Sequence, residues 1–209
     1  MHNQWLPYPM ESARARTSSD EVPAEILAAA NRRWQLFPIL TQSRHASFAA
    51  SLIAQATSDL DQLTRWAAEF AGCNWAVATG EASGVFVLVF DGPSARHAWQ
   101  HSVANNEGDD YRIEQTLTVI AGRGESAQRS AFFRWPARRR QRMVRIHRAT
   151  SAVCVPHGVR LHGEDDFVLI PPSTDRNAIA CIYLNPEASV IEAPGWLIDF
   201  AFEPEDGDG

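Results

Sequence analysis

The residues able to do chemistry are few and unevenly spread. The apolar run Gly84-Val-Phe-Val-Leu-Val-Phe90 ends in Asp91, a single carboxylate at the tip of a strand. Such an acid could be one ligand of a metal ion, or it could cap the following Gly92-Pro93-Ser94. Further along, Arg134, Arg138, Arg139, Arg140, Arg142, Arg145 and Arg148 form a basic block with no acid between them. The chain contains no lysine, so its permanent side-chain cations are all planar guanidinium groups, a geometry that suits carboxylate and phosphate alike. The block therefore reads either as a phosphate-binding surface or as a solvated face, and the acidic tail Glu203-Pro-Glu205-Asp206-Gly-Asp208 is one partner it could find.

Weaker constellations accompany these. Gly122-Arg123-Gly124 with Ser126 can form a turn whose backbone amides cradle a phosphate, or simply a hairpin turn; Arg123, Arg129 and Arg134 would strengthen the first reading if they converged there. His97 and His101 have the i, i+4 spacing of helical metal ligands, but Ala98 stands where zinc proteases carry glutamate and no third ligand is evident. Two polar residues on an exposed helix face is the plainer account. Cys154 and His157 lack a further partner for nucleophilic catalysis. Ser173 follows two prolines rather than sitting in a Gly-x-Ser-x-Gly elbow, so it reads as a turn hydroxyl. Trp34, Trp66, Trp75 and Trp196 lie in apolar contexts and read as core, whereas Trp135, beside the arginines, could stack on a base.

These residues need a scaffold, and 209 residues with 45% hydrophobic content suffice for one domain with a real core. No run is long and apolar enough for a bilayer span, and the amino terminus lacks the pattern of a signal peptide. Cys73, Cys154 and Cys181 are odd in number and widely spaced, which suggests buried free thiols in a reducing cytoplasm. The net charge of −6 argues against a general nucleic-acid coat. Residues 1–22 read as a flexible arm, 23–201 as the folded domain and 202–209 as an acidic tail.

Within the domain, Glu21 to Arg33 has helical apolar spacing with Asp20 available as a cap. Trp34 to Leu40 reads as a short buried strand closed by Pro38, and 47–56 is undecided between helix and loop. Thr57-Ser58-Asp59 caps a helix carrying Leu60, Leu63, Trp66, Ala67 and Phe70, which Gly72 ends. Trp75–Thr79 and Gly84–Asp91 are expected to form a hairpin or an adjacent strand pair, followed by a helix through Trp99 and Val103. Thr116–Ala121 and Ser130–Trp135 read as strands around the Gly122–Gly124 turn. Gly158–His162 and Phe167–Ile170 read as another pair, Ile179–Leu184 as a last strand, and Pro194–Phe200 as a closing segment. The order is α+β, and the strands after residue 115 suggest a second lobe.

Several segments, in order, resemble the amino-terminal domain of bifunctional DNA primase/polymerases, in the archaeo-eukaryotic primase superfamily. They are Trp34-Gln-Leu-Phe37-Pro38, Ala56-Thr57-Ser58-Asp59 with Leu63-Thr-Arg-Trp66, Trp75-Ala-Val-Ala-Thr79-Gly80, and Gly84 to Gly92. Later come Phe132-Phe133-Arg134-Trp-Pro136, Val159-Arg-Leu-His-Gly163, Phe167-Val-Leu-Ile-Pro171-Pro172-Ser173 and Ala193-Pro194-Gly-Trp196-Leu197. The resemblance covers roughly residues 24–200. It implies a two-lobed α+β domain with mixed sheets around a central cleft. Enzymes of that family use three carboxylates and a histidine. Here Val89-Phe90-Asp91 stands for the family's Asp-x-Asp pair, Ser130 for the histidine, and Arg160 for the third acid.

Mg²⁺ takes hard oxygen ligands. At an effective dielectric near 20, a carboxylate about 4 Å from a divalent ion contributes on the order of 8 kcal/mol of attraction. Arginine in the same place reverses that sign, and valine offers no oxygen. Two-metal phosphoryl transfer needs both ions, so the expectation is a domain that has lost catalysis, with Mg or Mn bound only if Glu81, Glu164, Asp165 or Asp166 supply replacement acids. In that case it would be a nucleotidyltransferase. The resemblance implies nucleotide or single-stranded DNA as ligand, held by Arg123, Arg129, Arg134, Arg138, Arg142 and Arg145, in plasmid, phage or mobile-element replication. The alternative is an interaction or inhibitor module that binds a replication or defence protein. No membrane partner is expected.

Overall fold

A computed structural model describes residues 21–39, 51–104, 115–136, 157–175 and 178–202. Residues 1–20 of the expected arm, 203–209 of the expected tail, Cys154 and Arg138, Arg142 and Arg145 of the basic block lie outside the described residues, whereas Val22 and Phe202, expected in the arm and tail, are buried in the core.

Helix α1 (Ala24–Asn31) begins after Pro23, whose fixed φ suits a helix start, and buries Ile26, Ala29 and Ala30. Strand β1 (Leu36–Ile39) follows. Pro38 lies inside this strand rather than closing it, paired with Trp75. It is tolerated because β1 is a sheet edge, where a missing N–H breaks no ladder. Residues 51–53 are helical and place Leu52 and Ile53 against the sheet. Helix α2 (Leu60–Glu69) is capped by Asp59, whose side chain accepts from the Asp61 amide at 3.1 Å. Its core contacts are Leu63 and Ala67, while Leu60 is exposed.

Two sheets carry the rest. The first has the order β1-β2-β7, with β2 spanning Asn74–Thr79 and β7 spanning Asp166–Ile170. The second has the order β6-β3-β5-β4-β8. Its strands are β3 (Val85–Asp91), β4 (Thr118–Ala121), β5 (Gln128–Arg134), β6 (Val159–His162) and β8 (Cys181–Tyr183). Among the described residues every paired strand is antiparallel, and the one parallel contact is an isolated bridge between Phe133 and Ile191.

The two expected strand pairs are not hairpins. β2 and β3 belong to different sheets and share one bridge, Gly80 with Val85. β6 and β7 are split in the same way. The boundary between sheets therefore does not fall at residue 115, because β3 joins the later strands and β7 joins the earlier ones. Both crossings are latched side by side. The Thr79 hydroxyl donates to the Gly163 carbonyl at 2.6 Å, and the Glu164 carboxylate accepts from the Glu81 amide at 2.7 Å. Gly80 has φ 115°, and a Cβ there would lie 2.6 Å from the Glu164 carboxylate.

The sheets pack face to face over one core. Val85, Val87 and Val89 of β3 meet Trp75 and Val77 of β2 and Val168 and Ile170 of β7. Trp34 stacks on Phe132 at 4.9 Å and ties the α1–β1 junction to the second sheet. The far face of that sheet presents Phe86, Leu88, Phe90 and Phe133 to two helices, α3 (Gly92–Ala104) and α4 (Gly195–Ala201). There Trp99 packs on Phe90 and Trp196, and Trp135 packs edge-on against Phe202 at 5.1 Å. Trp135 is thus committed to this aromatic layer.

Substitution Gly80→Ala should lower stability by about 1–3 kcal/mol in urea unfolding, since it combines left-handed strain with displacement of Glu164. Glu164→Ala should recover only the steric part, leaving most of that loss in the double variant.

Candidate functional site

The register of the second sheet brings the four singled-out positions together. Val89 lies directly between Arg160 on β6 and Ser130 on β5, and Ser130 in turn faces Val119 on β4. Directly paired antiparallel residues project to the same face, and so do residues two apart on a strand. Arg160, Val89, Ser130 and Asp91 therefore share the face that looks toward the first sheet. Val89 and Ser130 are buried, at 1% and 6% exposure. Asp91 and Arg160 are at the rim, with side chains 43% and 46% exposed.

Asp91 is an ion-pair partner. Its Oδ1 accepts from Arg160 Nη2 at 2.8 Å and from Gln128 Nε2 at 2.7 Å. Gln128 faces Asp91 because β5 pairs with β3 in this register; nothing in the sequence pointed to it. The Asp91 amide donates to the Gly158 carbonyl at 2.8 Å, which fixes the start of β6 against the end of β3.

Backbone turns surround this rim. Strands β4 and β5 form the expected hairpin around Gly122 and Gly124, with a short 3-10 turn at Gly124–Ser126. Ser126 approaches the start of α3, about where a Cβ on Gly92 would reach it, at 3.9 Å. Both glycines of the turn have positive φ, 111° and 61°.

The candidate arginines do not converge. Arg123 lies exposed in the turn. Arg129 is on β5 but pairs with Phe90, hence on the opposite face from Ser130. Arg134 pairs with Val85 at the far end of β5, about 20 Å from Gln128 at strand spacing. Its Nε donates to the Val190 carbonyl at 3.0 Å.

The four candidate replacement acids are also misplaced. Glu81 precedes β3, whereas Asp91 ends it, a separation of about 20 Å along an extended strand. Glu164 and Asp165 occupy the β6–β7 turn at that same distant end, where Glu164 is engaged with Glu81. Asp166 sits beside His162, with Oδ2 and Nδ1 3.0 Å apart; the contact is close enough for an ion pair when His162 is protonated but is not aligned as a hydrogen bond. These acids cannot join Asp91 around one ion. Among the described residues, no group of three or more His, Cys, Asp or Glu side chains is arranged to hold a metal.

The remaining motifs resolve simply. His97 is exposed on α3, and the His101 side chain lies outside the described residues. Ser173 is buried and bonds both the amide and the carbonyl of Trp75, at 2.8 and 2.9 Å, so its hydroxyl anchors a turn. Cys73 and Cys181 are free thiols.

Residues 26–196 match the family model described as bifunctional DNA primase/polymerase, N-terminal. The chain belongs to this primase/polymerase family. A search of curated proteins finds no match. The matched span holds every strand of both sheets and the whole Asp91 rim. Among the described residues, no helix is long and apolar enough to cross a membrane.

Burial pushes the Cys73 thiol up to about 12, and it pushes Cys181 up to about 11 with the nearby Asp175 charge adding to the effect. A raised thiol pKa leaves little thiolate at neutral pH. In a Cys154→Ser variant, the folded protein should therefore react slowly with a chromogenic disulfide at pH 8, and both remaining thiols should react rapidly once urea is added.

Proposed function

We propose that this primase/polymerase-family domain is catalytically degenerate and retains binding of nucleotide or single-stranded DNA. The observation that carries this reading is the row Arg160–Val89–Ser130, with the neighbouring Asp91 oxygen held by Arg160 and Gln128. A guanidinium beside the one remaining carboxylate occupies the electrostatic place that a divalent ion would need. The distance from Asp91 to Glu81 and to the acids of the β6–β7 turn speaks against an enzyme with relocated ligands. A replication role in a plasmid, phage or mobile element is part of the same reading and follows from the family alone.

A second reading, a protein-interaction module, draws on one feature. Ile182 and Leu184 are exposed, at 55% and 48%, in and just after edge strand β8. Exposed apolar residues on an unpaired edge can dock a partner strand.

Two assays separate these readings. Primer synthesis and extension with Mg²⁺ or Mn²⁺ should yield no product; product that disappears in Asp91→Ala would establish an active enzyme. Filter binding at low salt should retain single-stranded DNA, with affinity falling linearly against log salt concentration. Arg123→Gln, in the exposed turn, should flatten that slope by roughly one unit for one lost phosphate contact. No retention of DNA or labelled nucleotide at low salt would leave the interaction reading.

A further inference from the structure

The Asp91–Arg160 pair has an unusual combination of properties for a salt bridge at the end of a core strand. It is fixed on both sides: Gln128 donates to the same Asp91 oxygen, and Gly158 locks β6 to the Asp91 backbone. Yet both side chains are nearly half exposed. Arg160 gives one N–H to Asp91. A guanidinium carries several further donors in a rigid fork. Beside Asp91, the start of α3 at Gly92 and the Gly124–Ser126 turn approach each other. Helix starts carry partial positive charge.

We infer that Arg160 is the phosphate-binding cation of this site, that Asp91 is its resident counter-anion, and that the ligand, a nucleoside polyphosphate, binds without a divalent metal. The inference rests on the nucleotide-binding reading above and assigns its chemistry. In a metal-dependent site, a carboxylate recruits the ion that recruits the phosphate, so removing it weakens binding. Here the carboxylate faces the incoming phosphate with like charge and shares its guanidinium. Removing that charge while keeping an amide of the same shape frees the guanidinium and strengthens binding. The two arrangements predict opposite signs for one substitution. A polyphosphate fits better than a strand of diesters, because a terminal phosphate brings nearly two negative charges to one guanidinium where a diester brings one.

The experiment uses the full chain and a fluorescent dATP analogue, displaced by inorganic tripolyphosphate, in EDTA and then in excess Mg²⁺. The expected result is binding in EDTA, weakened roughly tenfold by Arg160→Gln, the loss of a charge-assisted hydrogen bond. Asp91→Asn should tighten it by about three- to tenfold, the effect of one unit charge at a partly screened distance. Binding that requires Mg²⁺, or that is lost in Asp91→Asn, would overturn the inference while leaving nucleotide binding intact. So would an Arg160→Gln variant with unchanged affinity. An oligothymidine that competes as well as tripolyphosphate would overturn the assignment to a free nucleotide. No binding of dATP or tripolyphosphate in either medium would remove the nucleotide reading itself, and this inference with it.

Discussion

Everything else in the molecule depends on β3 being buried on both faces. Val85, Val87 and Val89 project into the core shared with the first sheet, and Phe86, Leu88 and Phe90 project into the aromatic layer under α3 and α4. Burying six such side chains supplies on the order of 1.5–3 kcal/mol each. That packing makes β3 the rigid axis on which β5 and β6 are registered. A one-residue slip would turn every side chain to the wrong layer. The register in turn puts Arg160 and Ser130 on either side of Val89, and Gln128 beside Asp91.

The chemical character of the rim follows from where this strand leaves the core. Val89 is the last fully buried residue of its face, and Asp91, one alternation later, emerges at the surface. Burial at Val89 is consistent with an apolar side chain, since a carboxylate there would lose hydration unless an ion compensated it. Arg160 and Asp91 neutralise each other at 2.8 Å. A pair this exposed adds only about 0–1 kcal/mol to stability. Its importance lies in what it does to charge at the rim.

Much of the fold was legible from the residues. Asp59 capping α2, the hairpin around Gly122–Gly124, and the buried Trp34 and Trp75 all follow local rules of capping, turn formation and hydropathy, and the structure bears them out. Which strand pairs with which was not legible. Gly80-Glu-Ala-Ser-Gly84 has the composition of a hairpin loop, yet the chain uses it to change sheets. Trp75–Ala78 of β2 and Val85–Phe90 of β3 are unbroken apolar runs, so neither shows the alternation that would reveal its layer. The clustering of Val89, Asp91, Ser130 and Arg160 was reachable through the family resemblance, because those positions were aligned to one site. Gln128 was not, because its role depends on β3–β5 register alone. Whether Arg123, Arg129 and Arg134 converge was not legible for a related reason. Odd and even positions on β5 face opposite layers, and strand length separates its two ends.

On the proposed reading, Arg160 and Val89 stand in the place of metal-binding carboxylates on the family's scaffold. Mn²⁺ titration followed by electron paramagnetic resonance tests it most directly, comparing the wild type with the Val89→Asp/Arg160→Asp double variant. The wild type should show no stoichiometric Mn²⁺ uptake, and the double variant, with three carboxylates on adjacent positions of one face, should take up the ion. Stoichiometric Mn²⁺ binding by the wild type that disappears in Asp91→Ala would contradict the claim.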